Sequence, residues 1–356
     1  MSVPSVQPPP SDFTTNIDNA YMTLRPGTTL TYENRDAGEV DTFIVTRDTA
    51  VIDGVTCIAV HDTARVNGIL VEDTTDYFAQ DSAGNVWYFG EQTSSYAPGN
   101  PVPISHDGSW IAGVDGASAG IAMLANPEVG DRYAQEHAPG VAEDRASVRA
   151  LDRTVNVGYG SFDNVLQTRD VNPLHHTQEQ KHYVRGVGNV LTTNADGDYE
   201  QLIQVKFTGT DDDDVLQGYA GGDLIEGLDG DDRLAGGNGN DTLFGGYEDD
   251  RLSGGSGFDR LDGGAADDTM RGGGGGDRFV FGNLADGHVD TDTIADYRLA
   301  QVDVIELAGG VGSIASETFA GGVWTLTLVG DGDKICLSGV VDTNGDGHIT
   351  DNLLFG

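Results

Sequence analysis

Apolar residues follow two different rhythms along this chain, and the change of rhythm divides it. From about Asn16 to Val205 they come in short alternating runs, broken by turn dipeptides such as Asp53-Gly54 and Asn67-Gly68. Alternation with period two marks a strand with one buried face, and Asp-Gly or Asn-Gly between two such runs marks a hairpin. AVIDGVTCIAVHD and TARVNGILVED therefore read as hairpins, and DYFAQDSAGNVWYFGE as a third around Ala83-Gly84-Asn85. Further strands are expected at Arg132 to Glu136, Ala146 to Leu151, Asp163 to Arg169, Lys181 to Gly186, Asn189 to Thr192 and Glu200 to Val205. No long segment of 3.6-residue period intervenes, so the expected fold here is an antiparallel β meander, closed into a barrel or a curved sheet.

From Gly209 the rhythm becomes nine residues and holds to Val280 without an insertion: GTDDDDVLQ, GYAGGDLIE, GLDGDDRLA, GGNGNDTLF, GGYEDDRLS, GGSGFDRLD, GGAADDTMR and GGGGGDRFV. Position 1 is always Gly, and position 8 is always large and apolar, from Leu216 to Phe279. Position 6 is always Asp: Asp214, Asp223, Asp232, Asp241, Asp250, Asp259, Asp268 and Asp277. Such a period is the signature of a stacked-repeat architecture. Glycines at positions 1, 2 and 4 allow positive φ or a close backbone approach, so the first six residues read as a tight turn. The last three read as a very short strand whose middle side chain points inward. Two copies then complete one circuit of a parallel β-roll, and copies n and n+2 stack.

That stacking superimposes the position-6 carboxylates, which repel unless a cation lies between them. Turn oxygens at Gly236, Asn238, Gly245, Gly254 and Gly263 would complete an all-oxygen ligand set, which suits Ca²⁺ better than Mg²⁺. Six n/n+2 pairs exist among eight copies, which bounds the count at about six ions. Tyr219, Leu228, Glu248 and Ala266 stand where the turn prefers Gly, so some sites should be weaker. GGNGNDTLF, GGSGFDRLD and GGGGGDRFV fit the nonapeptide G-G-x-G-x-D-x-U-x in full, and at these residues the chain resembles the RTX (repeats-in-toxin) calcium-binding proteins. The resemblance implies a right-handed parallel β-roll that binds calcium, and export through a type I secretion machinery. It is silent about activity, since the repeats accompany proteases, lipases, epimerases, adhesins and toxins alike.

Charge reinforces this picture. The formal net charge is −39, and the repeats alone hold 18 acidic residues against 5 basic ones. Such a chain repels itself until cations bind, and it should avoid nucleic acid and anionic membranes. Cys57 and Cys336 lie in separate apolar runs and read as two buried thiols rather than a disulfide. The N-terminal MSVPSVQPPPSDFTTNIDN has neither a basic nor an apolar signal region, and no apolar run reaches transmembrane length. Both features agree with the export route that the RTX resemblance implies, as does the terminal Asp351-Asn-Leu-Leu-Phe-Gly, an acid followed by apolar residues.

Four segments are expected: a disordered Pro-rich tail (1–15), an N-terminal antiparallel β domain as cargo (16–208), the calcium-binding roll (209–280), and a β cap with a C-terminal secretion signal (281–356). In the cap, DTDTIADYRLAQVDVIEL resembles the segment that follows RTX repeats, and VWTLTLVGDGDKICLSGV reads as a hairpin. Asp342, Asn344 and Asp346 fit positions 1, 3 and 5 of an EF-hand-like calcium loop, although Leu353 stands where an acid should close it.

The N-terminal domain offers candidate chemistry. Gly116-Ala117-Ser118-Ala119-Gly120 has the G-x-S-x-G form of a nucleophile elbow, with His137 or His182 and Asp131 or Asp163 downstream. An elbow requires a parallel strand before it and a helix after it, which a β meander does not supply. His175, His176, Glu179 and His182 crowd one segment, but on a strand they cannot all converge. Glu136, Glu143 and Asp144 could supply an acid/base pair, or could be solvated loop carboxylates. Trp87, Tyr88 and Trp110 could line a pocket, or could be core aromatics. The expected function is therefore a secreted, extracellular calcium-binding protein whose roll folds on calcium and supports export of a domain that binds a small ligand, a polysaccharide or a surface. Two further readings remain open: a hydrolase or lyase acting within 16–205, and an adhesion or surface-layer component.

Overall fold

The computed structural model describes residues 6–282, 289–307, 314–320, 323–328, 333–338 and 340. They fall into two compact units, Met1–Val205 and Lys206–Gly356, and no α-helix occurs among the described residues.

In the first unit the strands Thr28–Asn34, Glu39–Ile52, Val55–Val66, Ile69–Asp81 and Val86–Ser95 follow one another antiparallel. Their tight turns are those the dipeptides announce. Asp53 and Gly54 have φ of 47° and 80°, and Asn67 and Gly68 have 50° and 80°, as a two-residue turn with both residues left-handed demands. A second meander runs through Arg145–Val157, Gly160–Asn172, Thr177–Val184, Gly188–Asn194 and Tyr199–Thr208. Shorter strands join the two sets: Ser118–Met123 pairs with Val86–Ser95 and with Glu136–His137, and Arg132–Ala134 pairs with Arg145–Val157. Tyr199–Thr208 also pairs with Thr28–Asn34, which brings the antiparallel sheet nearly to a barrel.

Two local features aim side chains into this near-barrel. The register Ile58↔Phe78 and Val60↔Asp76 places acids in line with the apolar core, because Asp62 shares a face with Ile58 and Val60. Gly90, at φ 130°, sits at a bulge, and a Cβ there would lie 2.3 Å from the Trp110 carbonyl oxygen. The bulge turns Glu91 to the side of Tyr88, whose Oη lies 3.1 Å from Glu91 Oε2.

The second unit contains a parallel β-solenoid of about four turns. One stack is Val215–Gln217, Arg233–Asn238, Arg251–Ser256 and Thr269–Gly274; the other is Asp223–Leu228, Thr242–Gly246, Arg260–Gly264 and Arg278–Phe281. Position-8 residues pair directly across each stack and fill the interior: Leu234, Leu252 and Met270 on one side, Ile225, Leu243, Leu261 and Phe279 on the other, all buried. The cap prolongs both stacks. Thr291–Ile294 and then Lys334–Ser338 extend the first in parallel, and Val304–Leu307 extends the second. Val323–Leu328 folds back antiparallel on Lys334–Ser338, as the hairpin reading expects, while its Gly330-Asp331-Gly332 turn lies outside the described residues.

Candidate functional site

The turns of the solenoid bring together the oxygens that the repeat pattern singles out. Each position-6 Asp holds its coil to the next through one oxygen. The backbone N–H of Asp214 donates to Asp232 Oδ1 at 2.7 Å, that of Asp223 to Asp241 at 2.8 Å, and the pattern repeats to Asp259 and Asp277 at 3.1 Å. The second oxygen is different. Oδ2 of Asp232, Asp241, Asp250, Asp259, Asp268 and Asp277 is buried and has no hydrogen-bond partner.

Position-1 glycines make room for this arrangement. A Cβ on Gly227 would lie 2.0 Å from Asp232 Oδ2 and 2.5 Å from the Gly245 carbonyl oxygen. On Gly236 the same distances, to Asp241 Oδ2 and the Gly254 oxygen, are 2.2 and 2.6 Å; on Gly245, to Asp250 Oδ2 and the Gly263 oxygen, they are 2.1 and 2.3 Å. A carboxylate oxygen and a carbonyl oxygen from successive coils thus crowd one small space. The left-handed positions of the turn are 2 and 4 instead, for example Gly237 at 112° and Gly239 at 138°. Leu228, Glu248 and Ala266 adopt that conformation without being Gly, at φ of 92°, 71° and 85°. An L-residue held there costs about 1–2 kcal/mol.

A buried carboxylate oxygen with no donor, beside a carbonyl oxygen, is a costly arrangement for a protein alone. Burial, opposed by the backbone N–H bond and aided by the next aspartate in the stack, pushes Asp241 and Asp250 up to about 7 and Asp268 to about 8. A hard cation removes the conflict, and a set of carboxylate and carbonyl oxygens is what calcium takes. The residues present therefore fit that ion. Asn238 is exposed at the end of its strand. Asp342, Asn344 and Asp346 lie outside the described residues.

Both ends of the array are sealed by protein donors. At the start, the Thr210 N–H and hydroxyl occupy Asp214 Oδ2 at 2.6 and 2.8 Å, and the Tyr219 N–H occupies Asp223 Oδ2 at 2.6 Å. At the far end, Asp268 N–H donates to Asp292 Oδ1 and Asp277 N–H to Asp303 Oδ1, both at 3.1 Å, and Asp303 Oδ2 accepts from Arg298 N–H at 2.6 Å. Asp292 and Asp303 therefore extend the ladder beyond the nonapeptides, which sequence reasoning missed. The signal was present: Asp292-Thr-Ile294 and Asp303-Val-Ile305 keep the Asp and apolar spacing of positions 6 and 8 after the glycines are gone.

The remaining candidates separate. Ser118 opens an antiparallel strand with no helix after it; His137, opposite it, is exposed, and Asp131 and Asp163 accept from Glu128 N–H and Thr154 Oγ1. No nucleophile elbow forms. His175 and His176 occupy an exposed turn, while His182 is buried between Gln167 and the Leu191 carbonyl. Among the described residues no three His, Cys, Asp or Glu side chains converge to hold a metal. Trp87 and Trp110 are core residues, with the Trp87 indole N–H on Asp81 Oδ2 at 2.8 Å. Glu143 caps the turn at Gly140. Glu136, Asp144 and Tyr88, by contrast, meet in a cavity of about 420 Å³ inside the near-barrel.

The description "RTX calcium-binding nonapeptide repeat (4 copies)" matches residues 208–243 and again 244–279. No curated protein matches the chain. Among solved structures, a candidate lipoprotein from Parabacteroides distasonis ATCC 8503 is similar at 13% identity and a TM-score of 0.28, over 51% of this chain and 96% of that one. The extracellular lipase LipA from Serratia marcescens is similar at 18% identity and a TM-score of 0.21, over 42% of this chain and 40% of its own. Scores this low carry no argument about the first unit. The geometry of the second and the match agree: over residues 208–279 this chain carries RTX calcium-binding nonapeptide repeats.

Proposed function

We propose that this RTX-type calcium-binding protein is secreted, and that its solenoid folds as calcium enters the turns. The observation that carries the reading is the set of six buried Oδ2 atoms, Asp232 to Asp277, without a partner. Each is a site for one ion together with carbonyl oxygens of Gly245, Gly254, Gly263 and their counterparts, which supports about six ions. In the low calcium of a cytoplasm the acidic repeats stay open and threadable through a type I exporter. Outside the cell, binding free energy becomes folding free energy. A calcium titration of the full chain followed by circular dichroism tests this: β signal should rise cooperatively with calcium and fall back to that of the first unit in chelator. An identical spectrum in both would overturn the reading.

The first unit is the exported cargo, and a small-molecule binding domain is the reading its cavity favours. The hydrolase and lyase readings lose support with the scattered Ser118, His137, His182 and Asp163. The adhesin reading needs an exposed aromatic face, whereas Trp87 and Trp110 are 3% and 6% exposed.

A further inference from the structure

The cavity of the first unit has a lopsided wall. At about 420 Å³ it falls within the range of small-molecule sites, roughly 300–1,000 Å³. One part of the wall is apolar, formed by Leu24, Leu30, Phe43, Phe78 and Val187. The rest is acidic. Asp41, Asp62 and Asp76 come from the first meander, Glu136 and Asp144 from the short strands and the segment after them, and Glu179 and Glu200 from the second meander. Lys181 is the sole basic side chain on the wall, and it is already engaged with Asp170 at 3.6 Å and Glu179 at 3.7 Å.

Acceptors there lack donors. Asp144 and Asn189 line the cavity, and each has a buried Oδ1 that accepts no hydrogen bond. Burial raises Asp62 and Asp76 to about 7 and Glu136 to about 8, with Asp144 adding to the last. Tyr88 Oη donates to Asp76 Oδ1 at 2.5 Å, so its ring lies against the acids while its face continues the apolar wall beside Phe78. A single metal ion does not suit this wall. Among the described residues its carboxylates do not converge in threes, and the strand carbonyls that could complete a shell are committed to the sheet.

We infer that the cavity binds an organic cation with an apolar body, its protonated amine donating to Asp144 and Glu136 and its body lying along Phe43, Phe78 and Tyr88. This rests on reading the first unit as a binding domain. The acids supply charge and acceptors, the ligand supplies the missing donors, and aromatic faces attract cations as well as apolar groups.

The test is calorimetry on the calcium-loaded full chain with three probes that share one aromatic body: tryptamine, its neutral N-acetyl derivative and the anionic indole-3-propionate. Tryptamine should bind with a stoichiometry of one, and the other two at least about tenfold more weakly, the cost of one unmet charged hydrogen bond. Glu136→Gln and Asp144→Asn should each weaken tryptamine by a similar factor without lowering the unfolding midpoint, because each replaces an acid whose ionised form burial disfavours and leaves the shape unchanged. Preference for the neutral or anionic probe would overturn the cation assignment but leave the binding domain standing. Absence of binding by all three would overturn both. A lowered unfolding midpoint in the two variants would show the acids to be structural, and loss of tryptamine binding on raising calcium would make this a metal site; either result overturns the inference.

Discussion

At the scale of single residues, one aspartate in each repeat has two separable tasks. Asp241 Oδ1 accepts the Asp223 N–H at 2.8 Å and holds coil to coil, whereas its Oδ2 is buried without a partner, the place proposed for an ion. Asp241→Asn keeps a carbonyl oxygen for the first task and removes the charge needed for the second. It should therefore raise the calcium midpoint of folding severalfold without lowering the β content reached at saturation, as circular dichroism would register. An unchanged midpoint would remove Asp241 from the ligand set. The importance of Asp at position 6 was legible because no other position in the unit places an acid in every copy. The reason for Gly at position 1 was only half legible. The pattern suggests positive φ or close approach, and only the stack reveals close approach, since the obstacle to a Cβ is the carboxylate of the same copy and a carbonyl from the copy two further on.

At the scale of elements, the solenoid's strands are too short to persist by themselves, and the two apolar ladders hold them. Leu243 is fully buried between Ile225 and Leu261. Leu243→Ala should cost about 2–5 kcal/mol, as large-to-small changes in closed cores do. The measurement is thermal unfolding at saturating calcium, where a drop of the solenoid transition with unaltered melting of the first unit is expected. The hairpins of the first unit were legible from Asp53-Gly54 and Asn67-Gly68, whose left-handed pairs admit few other residues. Its acidic interior was not. Alternation assigns polar residues to the outside, yet Asp62 follows Ile58 and Val60 on one face, and Asp76 faces Val60 across the ladder. Which side of a strand is inside at each point depends on how the sheet curves, and that is set by partners distant in sequence.

At the scale of the whole molecule, a net charge of −39 does not act uniformly, because the acids that matter most are the buried ones in each unit. Asp76 and Glu136 in the first unit, and Asp250 and Asp268 in the second, are raised by burial to about 7, 8, 7 and 8. Unfolded, such groups titrate near 4. The folded, calcium-free chain therefore holds more protons than the unfolded one between these limits, and its stability falls as pH rises from about 4 to about 8. This is opposite to the behaviour of a salt-bridged carboxylate, whose contribution is lost on acidification. Calcium should reverse the sign for the second unit alone, since an ion between Asp250 and Asp268 would favour the ionised form and compete with the proton. Scanning calorimetry in calcium-free buffer at pH 5 and pH 8 should give the higher midpoint at pH 5 for the first unit. Adding millimolar calcium at pH 8 should then bring in a solenoid transition and leave the other nearly where it was. A solenoid transition already present at pH 8 without calcium would mean that its stacked aspartates are compensated by something other than protons or metal.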